Sequence, residues 1–150
     1  DVLTYKPTNE TESRQIKREL DNAIKNAVES WREHQRTKWD NQLSLRIEQK
    51  LEMCEAALAS DPNPNFDSFV QDFKDNYQHY RMTGGPFCLS YKSVDDVVEE
   101  VKRRETWKTE SPNAYFALGV YVAPYPNEVY AVWVMLVFLD YIIDTRTSLV

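Results

Sequence analysis

Val129-Tyr130-Ala131-Val132-Trp133-Val134-Met135-Leu136-Val137-Phe138-Leu139 is the longest apolar stretch of the chain, at 11 residues. A helix that crosses a bilayer needs about 20 such residues, so this run reads as a strand and predicts no transmembrane segment. Most of its side chains are β-branched or aromatic, the types that fit a pleated surface. Successive side chains alternate between the faces of a strand. Val129, Trp133, Met135 and Val137 then share one face, and Val132, Val134, Leu136 and Phe138 the other. A strand that is apolar on both faces has to be covered on both sides. The rest of the chain must supply that cover.

Immediately upstream, Tyr115 to Val122 is a second strand of the same character, and Pro124-Tyr125-Pro126-Asn127 separates the two as a turn. Together they predict a terminal antiparallel β-hairpin in a small sheet. Before it, Val94, Val97, Val98 and Val101 form one apolar helical face. Ser93 and Asp96 resemble a capping box at its start. Lys102, Arg103 and Arg104 lie at its negative end, where cations are favoured. Thr106 to Asn113 reads as a loop.

Further upstream the pattern is helical. Ile16, Leu20, Ala23, Ile24, Ala27, Val28 and Trp31 recur at steps of three and four within Glu10 to about Arg36. Leu43, Ile47, Leu51, Cys54 and Leu58 do the same within Asp40 to Ala59. Asp40-Asn41 is a break or a stutter, so the two stretches read as a helical hairpin or as one rod. Asp61-Pro62-Asn63-Pro64-Asn65 is a stop. Phe66, Phe69, Val70, Phe73, Tyr77 and Tyr80 predict a third helix, ended by Gly84-Gly85-Pro86, with a short strand at Phe87 to Leu89. The fold class is α+β, helices first and sheet last. The expected organisation is a helical segment, 1–62, and an α+β segment, 63–150, forming one structural unit within a larger parent protein.

The chain has 150 residues and a net charge of -6, with 28% charged and 42% apolar side chains. At this length about 68–70% of the unfolded surface is buried. The acidic balance disfavours nucleic acid, which wants a cationic face. Two cysteines build no disulfide framework, and no leader opens at Asp1, so a reducing, cytoplasmic setting is expected.

No residue set carries catalysis. Cys54 and Cys88 have no base at a telling spacing from His34 or His79, and both read as core cysteines. Zinc ligands at close spacing are missing. Asp95, Asp96, Glu99 and Glu100 read as a solvated helix face, and Asp61, Asn63 and Asn65 lack the glycine and glutamate of a calcium loop. No catalytic, cofactor or metal residue is assigned. Trp31 and Trp39 are eight residues apart, nearly one face of a continuous helix, and are either a buried brace or an interface anchor.

Four segments resemble a known family, the coiled-coil and C2 domain-containing proteins of the ciliary transition zone. They are Val2 to Thr8, Glu29 to Asp40 with its Trp31-Arg32, His34 and Thr37-Lys38-Trp39, Thr83 to Tyr91, and Ser111 through Pro124-Tyr125-Pro126 to Val134. Leu43 to Asn76 matches poorly. The resemblance implies a non-enzymatic scaffold at the base of the cilium. It implies partners from the transition-zone complex mutated in Meckel and Joubert syndromes, and a relation to transglutaminase-like and papain-like folds that have lost catalysis. Ala123 stands where a histidine is expected before Pro-Tyr-Pro. Trp31, His34 and Trp39 are the expected partner-binding residues. The rival readings are a thiol-dependent enzyme using Cys88 and a helical module that dimerises through its long helices, a homo-oligomer.

Overall fold

The computed structural model describes residues 10–33, 37–55, 71, 73, 80–111, 114–124 and 129–141. Its elements are α1 (Glu10–Trp31), β1 (Lys38–Trp39), α2 (Asn41–Met53), β2 (Tyr80–Ser90), α3 (Val94–Arg104), β3 (Tyr115–Val122) and β4 (Ala131–Tyr141). The strands form one sheet in the order β1-β3-β4-β2. β4 pairs antiparallel with β3 and with β2, and β1 pairs parallel with the start of β3. The α+β class and the terminal hairpin stand. Val129 is exposed and precedes the strand.

β4 is covered on both faces, as its composition demands. Val132, Val134, Leu136 and Phe138 join Phe116, Leu118, Val120 and Val122 of β3 in one cluster. α1 supplies Ile16, Leu20, Ile24 and Val28 to that cluster, and α3 supplies Val97 and Val101. Trp133, Met135, Val137 and Leu139 form the opposite cluster with Leu43, Ile47 and Leu51 of α2. The two long helices therefore form neither a rod nor a hairpin packed face to face, because the sheet lies between them. The chain crosses from one face to the other through β1. Asp40 N–H donates to Phe116 O at 2.7 Å, and the Asp40 carboxylate then caps α2 by accepting from Leu43 N–H at 2.9 Å. Asp40-Asn41 is a true break. The apolar faces of α1 and α2 are both buried inside the chain.

β1 covers only Tyr115 and Phe116 of β3. Beyond them, α1 and α2 close the outer edge of β3. Ser44 Oγ accepts from the buried Leu118 N–H at 3.0 Å and donates to Asp40 O at 2.7 Å, so a helix hydroxyl takes the place of a strand. Lys17 of α1 reaches Glu48 of α2 at 3.0 Å past the same edge. Burial pulls the Lys17 ammonium down, but Glu48 and Asp21 outweigh it and hold the group above its ordinary range.

The third helix was expected to include Tyr80 and to end at Gly84-Gly85-Pro86. Here Tyr80 opens an 11-residue strand that runs straight through the glycines. Gly84 lies opposite Val137 with φ 142°, and a Cβ on it would sit 2.3 Å from Leu136 O. The glycine permits close approach of two backbones and is not a stop. Pro86 is tolerated because β2 is an edge strand. Phe73 is buried against α2, while Phe66, Phe69, Val70 and Tyr77 lie outside the described residues, as do Thr8 and the turn 125–128.

Candidate interaction surface

α1 ends at Trp31, and Arg32 N–H still bonds to Val28 O at 3.1 Å. α3 ends seventy residues later in the basic turn Lys102-Arg103-Arg104. Glu105 stops it in the left-handed region at φ 60°. Trp107 then folds back, and its indole N–H donates to Lys102 O at 3.1 Å, a second donor on the carbonyl that already accepts from Glu105 N–H at 3.3 Å. This return brings Trp107 to Trp31, with ring centroids 5.1 Å apart and planes tilted by 46°. Lys102 Nζ lies 5.9 Å from the Trp31 ring and Lys108 Nζ 5.3 Å from the Trp107 ring.

Arg32 locks the arrangement. Its guanidinium sits 4.6 Å from the Phe116 ring centroid, and Nη1 donates to Trp107 O at 3.3 Å and Thr109 O at 3.0 Å. The residue is only 6% exposed. Burial lowers its pKa from the usual guanidinium range, and Asp140 counters that; the group remains charged. Between these side chains lies an open cleft of about 560 Å³, bounded by Trp31, Arg32 and Glu33 on one side and Trp107, Lys108, Thr109 and Glu110 on the other.

Of the three residues expected to bind a partner, Trp31 lines this cleft. Trp39 does not. Its ring packs at a tilt against Phe116, with centroids 5.8 Å apart, and its Nε1 donates to Glu29 Oε1 at 2.9 Å. The two tryptophans belong to different elements and both pack against the core beneath α1. His34 lies outside the described residues. Sequence reasoning missed Trp107 and Arg32. The available signal was a tryptophan inside a loop, where a large apolar side chain needs something to cover it.

Cys88 was expected in the core and is exposed, because it sits on the edge strand β2. Burial of the thiol itself, and the nearby Glu55, push its pKa up. Cys54 caps the end of α2 and packs half-buried against the cluster that α2 forms with Trp133 and Met135. Among the described residues, no group of three or more His, Cys, Asp or Glu side chains is placed to hold a metal ion. No described helix is long and apolar enough to cross a membrane.

A family model described as the centrosomal protein of 76 kDa C-terminal domain matches residues 9–139. The chain belongs to that family. The matched span takes in α1 through nearly all of β4, including both tryptophans of the cleft. The human protein CC2D2B is 28% identical over 137 residues, which is 91% of this chain and 9% of that protein. The resemblance to the coiled-coil and C2 domain-containing family is borne out by this match. The chain spans under a tenth of the length of that relative. No solved structure matches it.

Proposed function

We propose that this domain is a non-enzymatic docking module of a larger scaffold at the base of the cilium. It holds proteins of the Meckel/Joubert transition-zone complex, on the cytoplasmic side, and the contact is made at the Trp31–Trp107 cleft. The similarity to CC2D2B and the family's centrosomal name support the setting. The observation that carries the reading is the cleft itself. Two half-buried tryptophans, fixed by the Arg32 clamp, offer rigid aromatic area of the kind that anchors protein interfaces. The upward-shifted thiol of Cys88 speaks against a cysteine nucleophile, which needs a stabilised thiolate.

The test is Trp31→Glu and Trp107→Glu, each in the parent protein expressed in ciliated cells, with folding of the isolated chain followed by circular dichroism. Either substitution is expected to leave a folded chain that no longer reaches the ciliary base. Normal recruitment of a folded Trp107→Glu protein rules out the cleft as the docking surface.

A further inference from the structure

We propose that the Trp31–Trp107 cleft takes a short proline-rich segment of the partner protein, bound in the polyproline conformation. This rests on the cleft being the docking surface argued above. The two indole rings stand 5.1 Å apart, tilted by 46°, one on each wall. A tryptophan face is flat and carries negative charge density. Lys102 and Lys108 lie over these two rings at 5.9 and 5.3 Å, and both side chains are exposed and long enough to give way. A pyrrolidine ring suits the same faces. Its C–H groups beside the nitrogen are partly positive, and it brings no full charge.

The charges around the cleft call for an uncharged occupant. Arg32 and Lys108 border it together with Glu33 and Glu110, so the lining cancels. Lys102 and Glu105, just outside, cancel in turn. Arg32 is spent inward on Trp107 O, Thr109 O and the Phe116 ring, and Lys108 is held by Glu105 at 2.7 Å. Neither an acidic nor a basic segment finds a field of opposite sign here.

Size decides which uncharged segment fits. The cleft holds about 560 Å³. A helix is about 10–12 Å across and about 5.4 Å per turn, so the cleft houses little more than one turn, which does not hold together alone. A flexible extended chain fits but must be ordered residue by residue, and so small a contact offsets little of that. A polyproline helix is ordered before it binds. Its carbonyls have no internal donors. Trp31 has one to offer, because its indole N–H makes no hydrogen bond among the described residues and is not sealed by burial.

The probes are blocked hexaproline and blocked Ala-Leu-Ala-Ala-Leu-Ala, titrated into the isotope-labelled chain while NMR follows the indole N–H signals of its four tryptophans. Hexaproline is expected to bind below millimolar concentration, at least about tenfold more tightly than the leucine peptide. The Trp31 signal is expected to move most, since the indoles of Trp39 and Trp107 already donate and that of Trp133 is buried. Raising the salt to about 0.5 M is expected to change the affinity less than about twofold. Trp31→Phe keeps a ring and loses the donor, and is expected to bind about fivefold more weakly. Equal binding of the two peptides, no binding of hexaproline at millimolar concentration, a steep fall with salt, or unaltered affinity in Trp31→Phe each overturn the proposal. So does a chain that sediments as a dimer which Trp107→Glu breaks, for the cleft then belongs to a second copy. Should Trp31→Phe fail to fold, the ratio of the two peptides on the unaltered chain decides alone. Lost recruitment of Trp107→Glu without a preference for hexaproline leaves the docking surface standing and removes only the proline segment. Preference for hexaproline with normal recruitment retains the proline site and removes the docking role.

Discussion

Gly119→Ala is expected to lift α2 off the sheet. Gly119 faces α2 from the middle of β3, and a Cβ built on it would lie 2.5 Å from Ile47 Cγ2, 3.0 Å from Ile47 Cβ and 2.9 Å from the backbone N of Glu48. Carbon atoms in good contact stand about 3.5–4.0 Å apart, so the helix must withdraw by about 1 Å. Ile47 cannot simply turn aside, because a β-branched side chain is stiff at χ1, and the Glu48 contact is backbone. Leu43, Ile47 and Leu51 would all lose part of their packing. One smaller effect works the other way: alanine restricts the unfolded chain more than glycine does, which favours the folded strand by about 0.5–1 kcal/mol. Overpacking costs about 1–3 kcal/mol, and with Ile47 fully buried the steric term is expected to win. The assay is urea unfolding of Gly119→Ala, Ile47→Ala and the double variant. Ile47→Ala alone is expected to cost about 2–5 kcal/mol for its cavity. In the double variant the new methyl enters the space that Ile47 leaves, so the costs are expected to fall short of their sum by at least about 0.5 kcal/mol. An unchanged midpoint for Gly119→Ala, or strict additivity in the double variant, refutes the reasoning.

Ser44→Ala strips the buried Leu118 N–H of its acceptor and is expected to cost about 1–3 kcal/mol; chemical denaturation of the variant, with hydrogen exchange at Leu118, checks it. Trp133→Ala is expected to cost about 3–5 kcal/mol, whereas Trp133→Phe is expected to cost far less, because the indole N–H it removes is buried with no partner; a comparison of their unfolding midpoints decides. A raised thiol pKa leaves less thiolate at neutral pH, so Cys88 is expected to react with iodoacetamide more slowly in the folded chain than after denaturation. The rate is expected to climb with pH through a value above that of a free cysteine, and Glu55→Gln is expected to bring that value down.

Much of this protein was written in its sequence. The apolar run Val129–Leu139, most of which becomes β4, cannot be left bare on either face of a strand, so the sequence alone requires a sheet covered on both sides. The faces of α1, α2 and α3 followed from steps of three and four, and Ser93 caps α3 by accepting from Asp96 N–H at 3.2 Å where the sequence placed it. Which helix covers which face was not legible, because burial of apolar surface has no direction and the two stripes look alike. The two-residue β1, too short to signal itself, makes that choice by carrying the chain across the sheet. Gly84-Gly85-Pro86 misled for a related reason. Glycine marks both a turn and a close approach, and only the pairing of β2 with β4 tells them apart. The cleft was half legible. Trp31 stood out as a candidate anchor, but its partner Trp107 and the clamp of Arg32 on Thr109 lie more than seventy residues away along the chain. No local pattern encodes such a meeting; it exists only because the ends of α1 and α3, packed on one face of the sheet, arrive at the same place.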